Sequence, residues 1–117
     1  MRFTTSLNKN HEFKRLYNKG KSVSSQLVVV YSRRNGRAAN RLGITVSTKV
    51  GGAVDRNRVR RRLREIYRLN EDKLLPGFDI VIVARVRGKQ ASYKELEASV
   101  LSVFKRSNIV GGVRNES

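Results

Sequence analysis

The segment "RNRVRRRLREIYR", residues 56–68, packs seven arginines and one acid into thirteen positions, and any fold of this chain must hold that charge in place. A run of like charge is ordinarily a solvated tail. Here Val59, Leu63, Ile66 and Tyr67 break the run at helical spacing. At ~100° per residue these four fall within about 80° of Val59, while Asn57, Arg61, Arg64 and Arg68 cluster on the opposite side. Arg58 and Glu65 flank the presented face, and Arg60 and Arg62 sit on the borders. Like charges at i, i+4 oppose helix formation. The helix therefore depends on its apolar stripe being packed, and its outer face is poised for phosphates. Arginine suits that role, because a planar guanidinium grips a phosphate in bidentate fashion or stacks on a base.

The rest of the chain supplies the packing partner. In "NHEFKRLYNKGKS", Phe13, Leu16 and Tyr17 fall at i, i+3, i+4 and Gly20 offers a stop, which predicts a helix over 10–19. "SQLVVVYSRR" and "RLGITVST" read as strands, and the "NG" at Asn35–Gly36 predicts that they pair as an antiparallel hairpin. "KVGGAVDRN" is a glycine-bearing loop into the arginine helix. "FDIVIVARV" is a near-continuous apolar strand, as a central or parallel position requires. Ser92 with Glu95 predicts a capping box for a last helix carrying Leu96, Val100, Val103 and Phe104. The expected fold is an α+β single-domain sandwich, a small mixed sheet with helices packed on it. Its element order is α-β-β-(β)-α-β-α, with "SVSSQLVVV" able to supply the extra strand. Residues 1–110 are expected to form one RNA-binding domain and 111–117 a disordered tail.

Composition narrows the partner. Lysine and arginine number 26 against 9 acids, a net charge of +17, which calls for a polyanion to offset self-repulsion. Nucleic acid is the first candidate and an anionic membrane surface the second. The membrane reading needs a free apolar helix face, and the strands need that face for their core. A solvated basic face without a defined partner is the bland alternative. No cysteine is present, which removes disulfides and thiolate metal sites. No signal peptide or ~20-residue apolar span is visible, so a cytoplasmic protein is expected.

Phe13 and Tyr17 on the first helix and Tyr31 on the first strand place rings among cations, a pattern suited to single-stranded RNA. Core packing is the competing role, for Phe13 above all. His11, the lone histidine, has no nucleophile or acid to work with and reads as a surface or capping residue. Asp55 is placed to cap the arginine helix or to offset its charge. Glu65, Asp72 and Asp79 are scattered, with no paired-carboxylate or metal spacing. A stand-alone protein nuclease is therefore poorly supported, and a ribosomal or assembly-type RNA-binding protein is the alternative from another class.

"RLGITVSTKVGGAVDRNRVRRRLREIYR" resembles the signature of the bacterial ribonuclease P protein family, and "EFKRLYNKGKSV", "LVVVY" and "DIVIVAR" resemble its flanking blocks in the same order. The resemblance spans residues 7–106. It implies a subunit that assists a catalytic RNA, with Mg²⁺, in cutting the 5′ leader from precursor tRNA. No further protein partner and no membrane are required. It implies that Lys49, Arg56, Asn57, Arg58, Arg61, Arg64 and Arg68 face RNA, and that Phe13, Tyr17, Tyr31 and Ala84 line a cleft for the leader. It also implies a left-handed βαβ crossover, against the usual rule. Metal-approaching residues are left unspecified. Gly52 and Thr48 depart from the family pattern, which often has asparagine and a second lysine there.

Overall fold

The computed structural model describes residues 3–111; of the expected tail, 112–117 lie outside the described residues. The elements are β1 (Thr4–Ser6), α1 (Asn10–Lys19), β2 (Lys21–Ser24), β3 (Val28–Arg34), β4 (Asn40–Thr45), α2 (Ala53–Asn70), β5 (Phe78–Ala84) and α3 (Tyr93–Arg106). Five strands form one mixed sheet in the order β1-β4-β5-β3-β2. The β1–β4 and β4–β5 pairs are parallel, and β3 runs antiparallel to both β5 and β2. Helices α2 and α3 cover one face of this sheet and α1 the other.

Alternation along the strands assigns each side chain to a face. Val28, Val30, Leu42, Ile80, Ile82 and Ala84 join Val59, Leu63, Ile66, Tyr67, Leu96, Val100, Val103 and Phe104 in the main core. On the other face Val81 meets Leu7 and Leu16, with Phe13, Tyr31 and Val83 around them. β5 is thus buried on both sides, which accounts for its unbroken apolar run. That demand also corrects one expectation. β3 and β4 do not form a hairpin, because β5 lies between them. Asn35 begins an open five-residue connection, residues 35–39, with Gly36 at φ +71. The Asn35 side chain donates to the Ala39 carbonyl and to Asp79 instead of closing a two-residue turn.

The optional strand in "SVSSQLVVV" is real, as β2, and Tyr31 lies in mid-strand. β1 carries no apolar period that marks it in the sequence. It is three polar residues held by its parallel ladder to β4 and by a 2.8 Å hydroxyl bond between Thr4 and Tyr67. α1 spans the expected residues, and its end is set by space. A Cβ at Gly20 would lie 2.6 Å from the Leu16 carbonyl oxygen. The α3 capping box is present in both arms, Ser92 Oγ accepting from the Glu95 N–H and Glu95 Oε1 from the Ser92 N–H.

The hand of the β4–α2–β5 crossover follows from residue chirality. Leu42 turns its side chain to the α2 face and its carbonyl toward β1, where it accepts from Leu7 N–H at 2.9 Å. For an L-residue on an upward strand with its side chain toward the viewer, the carbonyl points right. β1 is therefore right of β4, β5 is left of it, and α2 crosses leftward in front. That is a left-handed connection, rare among parallel pairs.

Candidate nucleic-acid interface

The arginine helix divides as its angles require. Val59, Leu63, Ile66 and Tyr67 are at most 1% exposed, while Asn57, Arg61, Arg64 and Arg68 all face solvent. Arg58, Arg60, Arg62 and Glu65 are intermediate. The border arginines are tied to the protein itself. Arg58 donates to the Lys89 carbonyl at 3.2 Å, Arg62 to that of Ala91 at 3.4 Å and Arg56 to that of Gly51 at 3.3 Å. Arg60 donates to Asn57 Oδ1 at 2.9 Å, and Arg68 pairs with Glu65 at 2.6 Å, a bond that holds the Glu65 carboxyl below its ordinary range. Among the described residues, Arg61 and Arg64 have no hydrogen-bond or ionic partner. Two guanidiniums one turn apart are thus left for an outside anion. Lys49 is exposed and equally free, on the loop that leads from β4 to α2.

Asp55 does not cap this helix. α2 starts at Ala53, its N-cap is Gly52, and no side chain caps it. Asp55 sits in the first turn, 3.5 Å from both Arg58 and Lys89, where it offsets charge. Gly51 makes room for it, since a Cβ there would lie 2.8 Å from an Asp55 oxygen.

The rings lie on the α1 side of the sheet. Tyr17 and Tyr31 meet edge to face with centroids 4.9 Å apart, and Phe13 stands 6.4 Å from Tyr17. Tyr17 is 39% exposed and its hydroxyl bonds Thr45 at 3.1 Å. Asn10, Phe13, Lys14, Tyr17 and Thr45 line an open groove of about 390 Å³ beside α1. The structure brings Phe13, Tyr17 and Tyr31 together but not Ala84. That residue is 5% exposed and points into the α2/α3 core, opposite the rings. Val83, half-buried, is the β5 side chain on the ring face. Strand alternation could have signalled the swap, since Ala84 shares parity with Ile80 and Ile82.

Arg41 ties α1 to the sheet. It donates twice to Asp79, at 2.8 and 2.7 Å, and once to Glu12 at 2.5 Å. Burial pushes the Asp79 and Glu12 carboxyls up, but the Arg41 guanidinium outweighs it and holds both below their ordinary values. The hydrogen bonds Arg41 donates to Asp79 in turn raise the guanidinium above its ordinary value. Sequence reading missed this triad because its members lie 29 and 38 positions apart. Among the described residues no group of three or more His, Asp or Glu is placed to hold a metal ion. His11 is exposed on α1.

Comparison with known proteins agrees with this arrangement. The family model described as Ribonuclease P matches residues 1–108. A ribonuclease P protein component of Alkaliphilus oremlandii is 44% identical over 110 residues, covering 94% of this chain and 96% of that protein. Its counterpart in Clostridioides difficile is 44% identical over 107 residues, covering 91% and 94%. The Staphylococcus aureus RNase P protein structure superposes with a TM-score of 0.84 at 34% identity, covering 91% of this chain and 97% of that one. The Thermotoga maritima RNase P protein gives 0.80 at 33%, covering 86% and 96%. This chain belongs to the ribonuclease P protein family.

Proposed function

We propose that the protein serves its holoenzyme through two surfaces on opposite sides of one sheet, one for the catalytic RNA and one for the substrate leader. As a ribonuclease P protein component it partners the ribonuclease P RNA, and the holoenzyme is an endoribonuclease that acts on precursor tRNA. Family membership disfavours the ribosomal alternative. The observation that carries the division of labour is the separation of free guanidiniums, Arg61 and Arg64, from the Phe13–Tyr17–Tyr31 cleft.

On this reading Arg61, Arg64 and Lys49 engage the RNA backbone directly, with Arg56, Asn57, Arg58 and Arg68 around them. The rings stack single-stranded bases of the 5′ leader, with Thr45 and Val83 as floor in place of Ala84. Residues 1–110 act as one RNA-binding unit. The holoenzyme is metal-dependent, and Mg²⁺ is the ion we assign to it. The acids of this chain that pair with cations (Glu12, Asp55, Glu65 and Asp79) do not form a donor set for it, so no step is routed through a protein-bound metal. No helix among the described residues is long and apolar enough to cross a membrane, and we place the protein in the bacterial cytoplasm.

The test is a processing assay on 5′-extended precursor tRNA with a bacterial ribonuclease P RNA at low Mg²⁺. The protein is expected to stimulate cleavage, and absence of stimulation refutes the reading. Arg61→Ala and Arg64→Ala should each weaken assembly with the RNA and make the salt slope shallower by roughly 0.7–0.9. Tyr31→Ala should cost about 1–3 kcal/mol in affinity for precursor while leaving mature tRNA unaffected. Equal losses for both ligands would remove the leader from the ring cleft.

A further inference from the structure

A groove beside the arginine helix carries features that phosphate binding alone does not use. Thr4, Thr5 and Ser6 of β1, Leu42 and Ile44 of β4, and Arg64 and Arg68 of α2 line a depression of about 340 Å³. That size falls in the small-ligand range of roughly 300–1,000 Å³. Ser6 pairs with Leu42 across the parallel ladder, so both side chains point to the α2 side of the sheet. Leu42 and Ile44 form an apolar floor, and Ile44 is only half-buried. Arg68 is turned back to Glu65, and the Thr4 hydroxyl is taken up by Tyr67. Arg64 and Ser6 are exposed, and their side chains have no hydrogen-bond or ionic partner among the described residues.

The mixed lining decides what fits. An RNA duplex meets arginines with phosphates and sugars, while its base faces stay stacked inside the helix. Such a duplex would leave the Leu42–Ile44 floor wet. A phosphate does not rest there either, since burying an ion against apolar carbon is costly. The floor suits the face of an unstacked base, and the Arg64 guanidinium suits the phosphate that carries it. The Ser6 hydroxyl, able to donate or accept, suits a base edge or a ribose 2′-hydroxyl. None of the lining residues is acidic, so an anionic occupant meets no like charge. The ring cleft lies across the sheet from this groove, which separates its occupant from the leader.

We propose that the β1–α2 groove binds one unstacked nucleotide of the catalytic RNA, with Arg64 on its phosphate, Ile44 under its base and Ser6 on a base edge or 2′-hydroxyl. β1 supplies one wall of this site, which gives three polar residues at the sheet edge a use. The arginine helix then recognises a bulged or looped nucleotide in addition to backbone charge. The proposal rests on the arginine face binding that RNA.

The test is binding of the full chain to ribonuclease P RNA across a salt series, joined to chemical footprinting of the RNA bases. Ser6→Val removes the hydroxyl at a strand position that accepts β-branching. It should weaken assembly roughly 2- to 10-fold, one hydrogen bond's worth, and leave the salt slope unchanged. Ser6→Phe fills the groove and should weaken assembly further, with an unchanged melting temperature reporting an intact fold. One unpaired RNA position should be protected by the wild type and become reactive with S6F, while the rest of the footprint stays. The S6V penalty should shrink in the R64A background, because a single nucleotide joins the two groups. Should S6F unfold, S6V alone and with R64A decides. Wild-type affinity in S6V and S6F overturns the proposal and leaves the groove to another occupant, such as an acidic peptide. Additive S6V and R64A penalties, or a footprint that S6F does not change, also overturn it. Failure of the arginine face itself is read separately, as Arg64→Ala leaving both affinity and salt slope unaltered.

Discussion

Gly43 shows how one missing methyl shapes the cleft. A Cβ at this position would lie 2.6 Å from both Cε1 and Cζ of Phe13, so the ring can lie down on β4 only because the sheet offers bare backbone there. Gly43→Ala should lift Phe13, costing about 1–3 kcal/mol by overpacking and weakening precursor binding in parallel. Adding Phe13→Leu should recover stability, followed by thermal unfolding, without recovering leader affinity. Recovery of both would mean that the ring only fills space. "RLGITVST" exposed Gly43 as an alternating position on the face opposite Leu42 and Ile44, but not its neighbour, since Phe13 is thirty residues earlier in the chain. The division of arginines was more legible. Helical angle alone separated Arg61 and Arg64 from the buried stripe, while the carbonyls that take up Arg56, Arg58 and Arg62 come from loops that no periodicity locates.

Between elements, the Glu12–Arg41–Asp79 triad joins α1 to β4 and β5 and thereby sets the distance between Phe13 or Tyr17 and the sheet. The carboxylates have folded-state values below their ordinary ones. Their stabilising contribution is therefore complete above the unfolded carboxylate range of about 4, and it is lost as pH falls through and below that range. Stability should be flat from neutrality to about pH 5 and then decline. Arg41→Met should remove that acid limb and cost about 2–3 kcal/mol at neutral pH, less than a fully buried pair because water reaches the site. An unchanged acid limb in the variant would assign the decline to other groups. Elements themselves were readable wherever a local period or cap wrote them, as in α1, α2, the α3 capping box and the central apolar run of β5. Strand neighbours were not. The dipeptide Asn35–Gly36 predicts a β3–β4 hairpin, but pairing is decided by which strand has two faces to bury. β1, with Thr-Thr-Ser and no apolar period, left no signal at all.

Across the whole molecule, a net charge of +17 on 117 residues means that salt acts on folding and on assembly with opposite sign. Within the free protein, repulsion among Arg61, Arg64 and Lys49 has no paired acid among the described residues to offset it. Screening shortens its reach from a Debye length of roughly 30 Å at 0.01 M to about 8 Å at 0.15 M. The melting temperature of the free protein should therefore rise over that interval. A polyanion does the same at fixed ionic strength, because an RNA that binds only the folded state adds stability by mass action. Assembly runs the other way, since each phosphate contact releases counterions and log affinity falls with log salt. Two thermal titrations separate the effects: protein alone should gain stability with added salt, and protein with ribonuclease P RNA should lose its RNA-dependent increment over the same range. Substituting Arg61 and Arg64 by alanine together should flatten both dependences at once. A free-protein melting temperature that falls with salt would show the cations already neutralised within the fold, and the two surfaces would then have no electrostatic reason to seek RNA.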